Sequence, residues 1–130
     1  MKKLILILTL PFSILVFSSP SCAEWTEVGE NVIGSIYYVD FERIRKRGGF
    51  VYYWDLGDHL TPKGDFKNLS VVNYNQVDCE LMRRKNLTQT QYKGKMGTGQ
   101  MRTNNIPDEN WTYPQPGSVL EIILNKVCSR

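Results

Sequence analysis

The sequence predicts a small α+β protein: an antiparallel β-sheet with one C-terminal α-helix packed on it and one disulfide. Three observations lead there. Large apolar residues alternate with period two over Phe50 to Leu56 and again within Ser70 to Met82, the period becomes helical after Ser118, and the two cysteines Cys79 and Cys128 fall one on each type of element. The whole chain has 130 residues, enough for one core and no second full domain.

The first segment lies outside that domain. Lys2 and Lys3 are followed by an almost wholly apolar stretch from Leu4 to Phe17. A run of about 14 residues is short of the roughly 20 that span a bilayer, and behind a positive front it reads as an export signal. Ser21-Cys22-Ala23 supplies the small residues a signal peptidase reads. Residues 1–23 are therefore expected to be removed, leaving a mature domain of residues 24–130 with no transmembrane span. The alternative start is a lipidated Cys22, which Ser21 suits but Ser19 does not, since a leucine-like residue is expected there. Lys and Arg number 16 against 13 Asp and Glu, a formal charge of +3, and the leader holds two of the lysines. The mature domain is close to neutral, which argues against a nucleic-acid binder with a strongly basic face.

Within the domain, Ile36 to Asp40 is rich in aromatic and β-branched residues and reads as a strand. Gly48-Gly49 after the basic run Arg43, Arg45, Lys46 and Arg47 reads as a hairpin turn. The chain returns as Phe50 to Leu56, the clearest strand, with Phe50, Tyr52, Trp54 and Leu56 on one face and Val51, Tyr53 and Asp55 on the other. Residues 57–64, holding Pro62 and two glycines, read as a loop. Ser70 to Tyr74 and Val77 to Met82 read as two strands or one bent strand, with Val77, Cys79 and Leu81 facing inward. Leu87 to Tyr92 reads as a solvent-facing strand. Met96 to Arg102 reads as a turn with room for a short strand, and residues 103–115 as a loop pinned by Trp111. Ser118 and Glu121 then form a capping box, and Val119, Leu120, Ile123 and Val127 make a stripe that must face a core. In an oxidising compartment Cys79 and Cys128 are expected to bond, fastening the helix to the sheet and contributing on the order of 4 kcal/mol.

The chemistry-bearing residues are few. His59 is the only histidine, and Asp55 and Asp58 beside it are as easily explained as solubilising carboxylates. No catalytic residue, cofactor or metal site is expected, since one histidine without clustered carboxylates leaves too few donors. Gly94, Gly97 and Gly99 lack the flanking strand and helix of a phosphate loop. Two basic runs stand out, Arg43 to Arg47 and Arg83-Arg84-Lys85. They either keep a hairpin end and a sheet edge soluble or meet an acidic partner such as a polyanionic matrix component. Three tryptophans and seven tyrosines are many for so small a domain; most are expected in the core, and those left outside, Tyr37 or Tyr53, are expected to anchor a protein partner.

The ordered set Trp25, Tyr37-Tyr38-Val39-Asp40, Ile44, Gly48-Gly49, Val51 and Trp54-Asp55-Leu56 resembles bacterial surface-adhesin protein E-like domains. Ser70, Asp78-Cys79-Glu80, Tyr92, Gly97-Thr98-Gly99, Trp111, Pro116-Gly117-Ser118 and Cys128 continue the likeness to the end of the domain. The resemblance implies a sheet of about six antiparallel strands under a C-terminal helix, and an exported or surface protein. It also implies an adhesin-like role toward host extracellular-matrix or plasma proteins, with no catalytic residues to carry over. Many members are surface lipoproteins, from which the sequence around Cys22 departs. The expectation is thus a non-enzymatic binding protein of the bacterial envelope, at the periplasm or the outer-membrane surface. Its expected contact residues are Arg43, Arg45, Lys46, Arg47, Tyr37 and Tyr53. The rival is a periplasmic structural or accessory protein with no host ligand.

Overall fold

The computed structural model describes residues 23–104 and 109–130. The export signal and Cys22 lie outside the described residues. Seven strands form one antiparallel sheet: β1 (Thr26–Glu30), β2 (Ile36–Val39), β3 (Arg45–Arg47), β4 (Phe50–Lys63), β5 (Asn68–Asp78), β6 (Arg83–Tyr92) and β7 (Met101–Asn104). The main path runs β1-β2-β4-β5-β6-β7, and β3 pairs with the start of β4 beside β2. Among the described residues one α-helix, α1 (Val119–Cys128), follows all the strands, and a 3-10 turn (Phe41–Arg43) lies between β2 and β3.

The basic hairpin forms as its sequence predicts. Gly48 and Gly49 take φ of 59° and 81°, a conformation that side-chain-bearing residues rarely adopt, and Arg47 pairs with Phe50 across the turn. The expected loop over residues 57–64 is instead the second half of β4. Ladder pairing with β5 continues to Asp58–Ser70 and resumes at Lys63–Asn68. The irregular register between them accommodates Pro62, which cannot donate a ladder hydrogen bond. Of the two strands or one bent strand expected within residues 70–82, the chain forms one strand, which ends at Asp78. Leu81, expected inside, is 53% exposed in the turn before β6, where Met82 takes φ of 49°. The Arg83-Arg84-Lys85 run opens β6, and β1 was not expected at all.

Ser118 caps α1, its hydroxyl accepting from Glu121 N–H at 3.2 Å. Glu121 reaches back one residue further than the usual box and accepts from Gly117 N–H at 3.2 Å. The helix turns Ile123, Leu124 and Val127 onto Val39, Val51, Tyr53 and Val77, which form the core. Cys79 and Cys128 are bonded, with Cα atoms 5.7 Å apart. The bridge joins the end of the helix to the end of β5 and closes a separation of 49 residues.

Replacing both Cys79 and Cys128 with alanine should lower unfolding stability by about 4 kcal/mol in the chain-entropy model, and by no less than about 2 kcal/mol. Denaturant unfolding of oxidised protein and variant measures this. Leu124→Ala, which empties a fully buried site, should cost about 2–5 kcal/mol in the same assay.

Candidate functional site

Strand pairing sorts side chains onto two faces with different chemistry. The face under α1 carries Val51, Tyr53 and Asp55 from β4 and Val71, Asn73, Asn75 and Val77 from β5. Asp55 is tolerated there because Asn73 and Asn75 each donate to it at 2.9 Å, while Asn86 bridges the two asparagines. Burial nevertheless raises its pKa, opposed chiefly by the bond from Asn73. Tyr53 has no solvent exposure, and burial, with Asp55 second, pushes its phenol well above the ordinary range. Tyr53 is thus a core residue rather than the outward anchor expected of it. Tyr37 also belongs to this face. It pairs with Gly57 and accepts from the Asn31 side chain at 3.3 Å, in a cleft of about 530 Å³ between the sheet and the start of α1.

The opposite face carries Phe50, Tyr52 and Trp54 from β4 and Tyr74 and Gln76 from β5. At one end the Lys93–Gln100 turn folds over it. Gly97 approaches Leu56 and Val72 so closely that a Cβ would sit 3.6 and 3.5 Å from their methyl groups. Lys95 there pairs with Asp58 at 3.6 Å and donates to the His59 carbonyl. At the other end no element covers the rings among the described residues. Trp54 stacks on Tyr74 with centroids 4.6 Å apart, and Tyr74 neighbours Tyr52 at 6.0 Å. Phe50 stacks on Trp111 at 5.9 Å, which holds Trp111 on this face; residues 105–108 of the expected loop lie outside the described residues.

Cations lie on these rings. The Arg43 guanidinium sits 5.0 Å from the Trp54 ring and 5.9 Å from Trp25. Arg47 lies 4.4 Å over Tyr52, and Arg83 and Lys85 lie 4.3 and 4.7 Å from Trp111. Asp40, almost fully buried, sets the position of Arg43. It caps the 3-10 turn at Glu42 N–H, takes the Glu24 N–H, and accepts from Arg43 Nε at 2.6 Å. Arg83 is held by Asp78 at 3.0 Å, an acid whose pKa is lowered first by the Leu81 N–H. Arg45, Arg47 and Lys85 have no carboxylate within ion-pair distance among the described residues.

The expected contact residues therefore divide. Arg45 pairs with Tyr52 and Arg47 with Phe50, which puts both on the aromatic face, and Arg43 joins them. Lys46 pairs with Val51 and belongs to the helix side. Trp111, Trp54, Tyr74, Arg83 and Lys85 complete the array; period two could have assigned Trp54 and Tyr52 a common face, but not which face the helix covers.

His59 has a hydroxyl beside it, Ser35 Oγ at 2.8 Å from Nδ1. Ser35 is 1% exposed and its N–H is bound to the Asn31 side chain, so the pair closes the β1–β2 turn and leaves no nucleophile open to a substrate. Among the described residues no group of three or more His, Cys, Asp or Glu is placed to hold a metal, and no helix is long and apolar enough to cross a membrane.

The family model for surface-adhesin protein E matches residues 25–129. Among solved structures, crystal form II of Haemophilus influenzae protein E superposes with a TM-score of 0.62 at 17% identity, covering 85% of this chain and 92% of that one. Protein E from non-typeable Haemophilus influenzae superposes at 0.59 with 18% identity, covering 85% and 80%. No curated protein sequence matches.

Burial, followed by Lys63, lowers the His59 pKa. A histidine held neutral in the fold contributes stability above its unfolded value of about 6.5, and that contribution is lost as pH falls through the depressed folded value. The apparent melting temperature should fall between about pH 7 and pH 5, and His59→Gln should flatten that fall. An unchanged slope in the variant would show that other groups set it.

Proposed function

The chain belongs to the surface-adhesin protein E family, and from that membership we propose that it is an exported, non-enzymatic module that holds host extracellular-matrix or plasma proteins to the bacterial envelope. Residues 1–23 direct export and are removed, and residues 24–130 act outside the inner membrane, at the outer-membrane surface. The observation that carries this reading is the uneven covering of the sheet. One face is sealed by α1, while on the other a stacked set of Trp and Tyr rings is left half-exposed. Rings of this kind supply large contact area at low entropic cost and are over-represented where binding energy concentrates. Arg43, Arg45 and Arg47 border the same rings and add charge-steered association with an acidic partner.

Two measurements test this. Purified protein applied to a panel of immobilised matrix and plasma proteins should be retained by at least one member, and flat responses across the panel would count against adhesion. Retention should weaken as salt rises, because the reach of exposed charge shortens from about 10 Å at 0.1 M to about 3 Å at 1 M. Protease shaving of intact cells should release fragments of the domain. Full protection, together with a flat panel, would instead favour the periplasmic accessory role.

A further inference from the structure

We infer that the aromatic and cationic sheet face binds a linear polysaccharide bearing sulfate or carboxylate groups. The inference rests on the adhesive reading above and names the chemistry that the same surface takes from the host matrix.

The strand register carries the argument. Arg45 on β3 pairs with Tyr52, Tyr52 with Gln76, and Gln76 with Lys85 on β6. One row across four adjacent strands thus has a cation at each end and an aromatic and an amide between. Beside it Arg47 pairs with Phe50, and Trp111 leans from Phe50 to Arg83 and Lys85. Neighbouring strands are about 4.8 Å apart, so the two groups of cations are separated by about 14 Å of ring and amide surface. A ligand satisfying both must carry anions some distance apart, with hydroxyl groups between them to bond Gln76 and C–H groups to pass along the edges of Tyr52 and Phe50, whose faces Arg47 and Trp111 already take. A chain of charged sugars has that alternation.

Competing polyanions fit less well. Base stacking by a single-stranded nucleic acid needs open ring faces, whereas Arg47 already covers Tyr52 and Trp111 stacks on Phe50. An acidic peptide would first have to be ordered into an extended form, at an entropic cost that a stiff sugar chain avoids.

The test is titration of the protein, followed by tryptophan fluorescence, with a heparin-derived dodecasaccharide, poly-L-glutamate and an oligothymidylate. The sulfated oligosaccharide should bind tightest. The triple variant Arg45→Gln, Arg47→Gln, Lys85→Gln should lose about tenfold or more in affinity for it. The charge-matched control Lys63→Gln, Lys67→Gln, Lys126→Gln, away from this surface, should stay within about twofold of the parent. Both variants replace exposed or half-exposed cations without ion-pair partners among the described residues, and matching melting curves verify their folds. Absence of oligosaccharide binding, equal losses in the two variants, or equally tight binding of polyglutamate or oligothymidylate overturns the inference. Retention of glycan-free matrix protein without oligosaccharide binding overturns this inference alone. Oligosaccharide binding with a flat protein panel supports it and overturns only the protein-partner reading.

Discussion

A seven-stranded sheet with a single ten-residue helix has more surface than one helix can bury. The Cys79–Cys128 bond determines which part is buried, because it ties the end of α1 to the end of β5 and so holds the apolar stripe over Val39, Val51, Tyr53 and Val77. Everything polar inside follows from that placement. Asp55 falls under the helix side and is kept there by the Asn73, Asn75 and Asn86 amides, a network whose donors would otherwise be left unpaired in the core.

The uncovered face poses the opposite problem, since bare aromatic surface in water invites association. The protein meets it with cations laid over the rings, held by buried or half-buried acids: Asp40 for Arg43 and Asp78 for Arg83. A cation on a ring lowers the cost of exposing it without occupying a second layer of chain. The rings on this face are therefore partly screened by charge while remaining half-exposed.

Much of this was legible in the residues. Period two picked out β4 and β5, Gly48-Gly49 picked out the hairpin, and Ser118 with Glu121 located the start of α1, because each is a local signal with a local cause. Non-local features were not legible. β1, with Glu27, Gly29 and Glu30, has weak strand propensity and is extended because β2 pairs with it. Residues 57–63 carry Gly and Pro yet remain in β4, since β5 continues alongside and the irregularity absorbs the proline. Period two separates Tyr53 from Trp54 but does not say which of the two faces is buried; only the asparagines of the next strand explain why the face with Asp55 is the one inside. The same ambiguity hid the candidate site, whose rings come from β4 and β5 and whose cations come from elements on either side.

The position of α1 after every strand has a consequence for biogenesis. A chain synthesised from its N-terminus exposes the apolar side of the nascent sheet until α1 emerges to cover it. The bond that secures this cover joins partners 49 residues apart and so cannot form early. Maturation is thus timed by the arrival of α1, and a chain stalled or clipped before residue 119 would present an uncapped hydrophobic layer to chaperones and proteases.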